Sequence, residues 1–387
     1  MTVDDLSTPA LLVDATRLHK NLDAMQTTAD ENGVRLRPHA KTHKCSALAR
    51  RQVKNGAAGL TVATVQEAET FVAAGIDDVR IAYPVTGRDK HARVQALRSD
   101  SRISFTVDTV RGAEQASAVY ADHDPVDVLM EVDVGHGRCG VPWRHDEAAV
   151  HLARRITDLP GLSLTGILTH AGQAYDGPTE GTSPKDALER VAGHERDRML
   201  RMAARLAQAG VPAANRETFD LSIGSTPTMA AFENRERDGF RITEIRPGNY
   251  VVHDAMQVGL GAASFEDCAI TVLTTVVSTQ RTADGPNRVF VDAGKKVFTT
   301  DTGNGTDGYG RPIADPETMS PAPDLHLDRL SEEHGWLTAP PSSSLRVGDR
   351  LRIVPNHACV TVANHSTLHV VDGSDVIDRW AIDAAGW

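Results

Sequence analysis

Three short stretches of this sequence gather residue types that can do chemistry. In Pro38-His39-Ala40-Lys41-Thr42-His43-Lys44 a lysine stands among other basic groups. Neighbouring cations and partial burial turn a lysine amine into a nucleophile, so Lys41 is a candidate Schiff-base former. A surface lysine in a basic turn is the ordinary alternative. Gly224-Ser225-Thr226 offers main-chain amides and hydroxyls where a helix should begin, which suits a phosphate monoester and is equally a routine helix cap. His357-Ala358-Cys359, if extended, points imidazole and thiolate to one face. There they could share a divalent ion and leave positions for water and substrate. A buried structural cysteine beside a surface histidine is the plainer reading. His136, His170 and His253 are candidate acids or bases. Asp292, Asp301 and the turn Ser331-Glu332-Glu333-His334-Gly335 are ambiguous.

The elements expected to position these groups follow from hydrophobic patterning. Short apolar, β-branched runs occupy 34–38, 57–63, 79–83, 103–107, 126–134, 162–169, 218–223 and 242–247. Amphipathic stretches such as 65–74, 89–97, 146–158 and 185–209 lie between them. Eight strands alternating with helices predict a (β/α)8 TIM-type barrel, and no GxGxxG turn follows the first strand to favour an open doubly wound sheet. In a barrel, the loops after the strands carry the active site, and that is where the polar, Gly-rich segments fall. From about Cys268 the rhythm becomes strands without helices, at 269–278, 288–292, 350–354, 359–362 and 368–371, with loops at 301–323 and 338–344. The expected organisation is a barrel over 14–255 and a mostly β domain built from 1–13 and 256–387.

Composition narrows the class. Hydrophobic residues at 40% of 387 describe a globular chain with a sizeable core, and a net charge of −11 with no basic stripe argues against nucleic-acid or membrane-surface partners. Cys45, Cys139, Cys268 and Cys359 are widely spaced with no CxxC pair, which suits a reduced cytoplasmic protein. The opening segment predicts neither a signal peptide nor an anchor.

Taken in order, several segments resemble the D-threonine aldolase and D-serine dehydratase family, within the fold-type III (alanine-racemase-like) pyridoxal-phosphate (PLP) enzymes. They are Arg37 to Lys44, Thr169-His170-Ala171-Gly172, Ser222 to Thr228, Arg246-Pro247-Gly248-Asn249-Tyr250, Leu330 to Gly335 and Pro355-Asn356-His357-Ala358-Cys359. The resemblance implies that Lys41 binds PLP covalently, that Arg138 contacts the cofactor's phenolic oxygen, and that Gln173 and Tyr175 lie against the pyridine ring. It implies that Gly224, Ser225, Thr226 and Tyr250 cradle the phosphate. His357 and Cys359 would bind a divalent metal (Mn, Mg or Zn) that holds the substrate's β-hydroxyl.

The implied activity is a lyase acting on a small D-3-hydroxy amino acid, first of all retro-aldol cleavage of D-threonine to glycine and acetaldehyde. The segment Val291 to Lys296 and the Ser-Glu-Glu-His-Gly turn resemble the aldolase branch. The alternative is dehydration of D-serine, D-threonine or D-3-hydroxyaspartate to a 2-oxo acid and ammonia. Cys359 favours it, because parts of the aldolase branch carry a carboxylate there and thiolate prefers zinc. Amino acid racemisation is a further alternative that needs no His-x-Cys site, and a non-catalytic PLP carrier would lack the β domain. A homodimer is the implied assembly.

Overall fold

Each of the eight apolar runs overlaps one strand of a barrel ring. The computed structural model describes residues 1–282 and 285–386. The chain opens with β1 (Ala10–Asp14) and α1 (Ala15–Glu31). It then alternates β2 (Arg35–Leu36), α2 (Ser46–Lys54), β3 (Leu60–Val62), α3 (Val65–Ala73), β4 (Asp78–Pro84), α4 (Arg88–Leu97), β5 (Arg102–Val107), α5 (Val110–Tyr120) and β6 (Val126–Asp133). After the two-residue β7 (Val141–Pro142) come α6 (Asp146–Asp158), β8 (Leu162–Leu168), α7 (Pro184–Gln208), β9 (Asp220–Ile223), the one-turn α8 (Thr226–Met229) and β10 (Glu244–Ile245).

Eight of these strands are parallel neighbours in the order β2-β10-β9-β8-β6-β5-β4-β3. A bridge between His39 and Thr61, with Ala58 N–H donating to Leu36 O at 2.8 Å, joins β2 to β3 and completes the ring. Strands of such a ring are buried on both faces, which is why they read as continuous apolar runs rather than alternating ones. The helices bury one stripe against the ring; in α6 the buried set is Ala149, Val150, Leu152, Ala153 and Ile156. The ring interior also holds a charged layer. Glu244, fully buried, accepts from Arg37 Nε at 2.7 Å and pairs with Arg80, while Arg37 also grips Asp78 at 2.6 Å. The two guanidinium groups hold the Glu244 carboxyl well below the usual carboxylate range despite its burial.

The rest of the chain is α9 (Ala255–Gly259), β11 (Ile270–Gln280), β12 (Asn287–Val291), α10 (Lys295–Phe298), β13 (Gly310–Asp315), β14 (Ser320–Pro321), β15 (His326–Leu330), β16 (Gly335–Ala339), β17 (Arg350–Pro355), α11 (Ala358–Ala363), β18 (Thr367–Asp372) and β19 (Asp375–Ala381). These strands, with β1, form a ten-stranded sheet whose main path is β14-β13-β17-β11-β1-β18-β19. β1 runs antiparallel to β11 and parallel to β18, with Val13 beside Ile270 and Val370. The first strand of the chain is thus central to the second sheet.

Two expectations are corrected. Residues 359–362, expected as a strand, lie in α11. The β-branched sequence there favours a strand locally, but Asp254 Oδ2 accepts the Ala358 N–H at 2.8 Å and caps the helix, so tertiary context overrides propensity. The stretch 301–323, expected as loop, contains β13 and β14, and 338–339 belong to β16. No helix among the described residues is long and apolar enough to cross a membrane.

Candidate active site

Polar loops leave the C-terminal ends of the ring strands and meet α11 over one cavity of about 470 Å³. After β2 the chain makes a single tight turn, Ala40–Thr42, capped by His39, whose Nδ1 accepts the Lys41 N–H at 3.4 Å. This turn packs on α11: Thr42 Oγ1 lies 3.2 Å from Cys359 Sγ. The side chains of Lys41, Arg138, Tyr175, Ser225, Thr226, His357 and Cys359, with Gly224, all line the cavity. Two of the expected residues do not. Gln173 Nε2 donates to Val134 O at 3.5 Å, and the Tyr250 hydroxyl accepts from Gln52 Nε2 at 3.2 Å behind the cavity wall. Tyr250 still touches the site through its N–H, which donates to Thr226 Oγ1 at 3.1 Å.

His357 and Cys359 converge by a different route from the one their spacing suggested. His357 is the extended N-cap of α11, Cys359 sits in the first helical turn, and each side chain acts on the other's ionisation. Burial opposes a charge on His357, yet the Cys359 sulfur, Asp254 and Asp301 outweigh it and push the imidazole up to about 10. Burial likewise opposes ionisation of Cys359, but His357, Lys41 and Thr42 outweigh it and hold the thiol below its usual value. The pair therefore holds one proton between a nitrogen and a sulfur. His357 Nδ1 is fixed from behind by Asp301 Oδ2 at 2.6 Å, which leaves Nε2 for the cavity. Among the described residues no cluster of three or more His, Cys, Asp or Glu side chains is arranged to hold an ion, so a metal here would have two protein ligands.

The opposite wall is the loop after β6. Asp133 Oδ1 accepts the N–H groups of Gly135 and His136 at 2.8 and 2.9 Å, and Gly137 and Gly140 take positive φ values that other residues rarely adopt. Arg138 rises from this loop with its Nη2 3.8 Å from Glu131. His39 and His170 sit deeper, where burial and the Lys41 charge hold both imidazoles well below their ordinary value and so neutral. Of the other candidate histidines, His136 packs edge-on against His170, and His253 lies outside the lining. At the floor, the Gly224 N–H is taken by Glu195 at 3.0 Å and that of Ser225 by Thr228 Oγ1 at 3.3 Å. The N–H groups of Thr226, Gly248 and Asn249 have no acceptor among the described residues. A Cβ on Gly248 would stand 2.8 Å from His39 O, so the backbone approach at this floor requires glycine.

Residues that residue-by-residue sequence reasoning passed over are Glu131, Glu195 and Asp254. Glu131 was hidden inside an apolar strand run. Asp254 was legible only as a turn residue, whereas it caps both α9 and α11. A larger hollow of about 1160 Å³ lies between α1 and the second sheet but contains none of the candidate residues.

The alanine racemase N-terminal domain matches residues 13–255, and the putative serine dehydratase domain matches residues 269–371. A D-threo-3-hydroxyaspartate dehydratase from Delftia sp. (strain HT23) is 33% identical over 98% of either chain, and its solved structure superposes with a TM-score of 0.88 over both full lengths. Two variants of that dehydratase also match, a cysteine-to-alanine form without metal and a histidine-to-alanine form, at TM-scores of 0.88 and 0.89. Their substituted positions stand two residues apart, as His357 and Cys359 do. A D-threonine aldolase from Arthrobacter sp is 35% identical over 99% of this chain and 93% of its own length. With the barrel under the first domain model and the β sheet under the second, the chain belongs to the D-threonine aldolase and D-serine dehydratase family of alanine-racemase-like enzymes.

Proposed function

We propose that this chain is a PLP- and divalent-metal-dependent lyase of D-3-hydroxy amino acids. The observation that carries the reading is the convergence of Lys41, Cys359 and His357 on one cavity, from two different sheets of the fold. The site fits both groups. Lys41 faces a cavity whose floor offers the unpaired N–H groups of Thr226, Gly248 and Asn249 and the Ser225 and Thr226 hydroxyls, a donor set for a phosphate monoester. His357 and Cys359 already share a proton that a metal ion can replace, and Asp301 backs the imidazole as carboxylates back metal-binding histidines.

When bound, PLP supplies an electron sink for charge developing at Cα, and the metal polarises the β-oxygen. The protein's own part is placement and proton movement. Lys41 would hold the cofactor through Nζ, and as an amine lining the same cavity it can also accept or return a proton there. Arg138 stands over the opposite wall, where it would contact the phenolic oxygen. Tyr175 lines the cavity beside Cys359, and burial raises its phenol so that it stays protonated and contributes bulk and a donor rather than a base.

Loss of the β-hydroxyl is the reaction this set supports best. Lys41 can take the α-proton, and a thiolate ligand suits zinc. The residue pair at the same spacing in the related dehydratase favours the same choice. Retro-aldol cleavage is the second reading, favoured by the 35% identity to a D-threonine aldolase. Homodimerisation and a cytoplasmic location belong to the same proposal through the resemblance. Product identification after incubation with D-threonine, with PLP and each of zinc and manganese, tests the reading. 2-Oxobutanoate plus ammonia establishes dehydration, glycine plus acetaldehyde establishes aldol cleavage, and L-allo-threonine alone, the product of inversion at Cα, refutes the lyase.

A further inference from the structure

Glu131 is a buried carboxylate in the wall of the cavity that the proposed chemistry leaves without a task. It lies near the C-terminal end of β6, only 3% exposed, and Oε2 has no hydrogen-bond partner. Oε1 is 3.8 Å from Arg138 Nη2, and this is the only ion pair of Arg138 among the described residues. We propose that Glu131 is the positioning residue for Arg138, holding its guanidinium over the cavity where the cofactor's phenolic oxygen is expected. The inference rests on the reading that PLP is bound at Lys41.

The argument is mechanical and electrostatic. Arg138 projects from a loop with left-handed glycines on both sides, so its own backbone sets the guanidinium's direction poorly. β6 is rigid: it pairs with β5 and β8 along most of its length. A carboxylate on that strand is a fixed point against which a planar guanidinium can register in two hydrogen bonds. The other groups facing Glu131 are Arg246, Asp108 and Thr106. Burial and Asp108 raise its carboxyl above the usual value, and Arg138 is the largest of the groups that oppose them, ahead of Arg246 and Thr106. Arg138 already lines the cavity with Nη2 3.8 Å from Oε1, and Oε2 beside it is free to take a second guanidinium N–H.

The test compares Glu131→Gln in two backgrounds, the unmodified enzyme and Arg138→Met, each loaded with PLP. The readouts are the pH midpoint of the cofactor's visible band, PLP affinity by titration, and kcat/KM on D-threonine. In the unmodified background the substitution should keep the band, shift its midpoint measurably, and lower kcat/KM by about tenfold to a hundredfold, the scale for a misplaced catalytic group. In the Arg138→Met background it should add less than about twofold, because two residues acting as one unit are non-additive. Equal effects in both backgrounds, or none in the first, overturn the inference. Should glutamine not be tolerated at this buried position, Glu131→Asp, which withdraws the charge from Arg138, carries the same comparison. A missing band in the unmodified enzyme refutes the cofactor reading instead, so the two failures are distinguishable.

Discussion

Glu195 offers the sharpest quantitative prediction. It is fully buried in α7, its Oε1 accepts the Gly224 N–H at 3.0 Å, and its Oε2 has no partner. Burial, only partly offset by the Gly224 N–H and the charge of Arg246, pushes its carboxyl from 4.5 up to about 7. The native chain therefore keeps a proton that the unfolded chain releases above pH 4.5. Over that window the native state binds more protons, so stability falls as pH rises, and it stops falling above pH 7. The shift corresponds to about 3 kcal/mol at 1.36 kcal/mol per pKa unit. Glu195→Gln keeps the shape and the Gly224 contact but cannot ionise. Its advantage over the unmodified chain should grow by about 2 kcal/mol between pH 5.5 and pH 8.5, measured by urea unfolding of both chains at each pH. An advantage that is constant with pH, or that shrinks, would refute the burial argument. The same acid supports the loop at the cavity floor, so PLP affinity of the unmodified chain should weaken over the same pH range and that of the variant should not.

The remaining expectations concern the site itself. Lys41→Ala should abolish the cofactor's visible band, and a retained band would sink the assignment. His357→Ala or Cys359→Ala should leave that band intact yet lower turnover at least about a hundredfold, since the metal acts on the substrate. Full activity after exhaustive chelation would remove the metal from the mechanism. Asp301→Asn should weaken metal affinity about 10–100-fold without changing which residues ligate, checked by competition with a chromogenic chelator. Glu244→Gln should destabilise the barrel by about 3–5 kcal/mol, because it strips a charge that two buried guanidinium groups share; a loss near zero would show the layer relaxes around the change.

Much of this molecule was legible along the chain because the physics involved is local. A barrel strand buried on both faces must be apolar throughout, so all eight ring strands coincide with apolar runs. The helix stripes are equally local, and the expected 146–158 helix is α6 to the residue. Lys41, Gly224 to Thr226 and the His357–Cys359 pair stood out because each packs its chemistry into a few consecutive positions. What neighbouring residues cannot encode is which distant groups meet. Whether 358–363 became strand or helix was decided by Asp254, some hundred positions away, through one hydrogen bond to Ala358. The ionisation of Cys359 depends on His357 and, from the other end of the chain, on Lys41 and Thr42, and that of Glu131 on its burial and on Arg138. Gln173 and Tyr250 sit in the expected segments but are not among the cavity-lining residues, and their polar ends meet Val134 O and Gln52, partners that only packing selects. Element type and candidate chemistry follow from periodicity and short motifs; charge state, ligand convergence and the direction of each side chain belong to the tertiary structure, because desolvation and electrostatic coupling act through space.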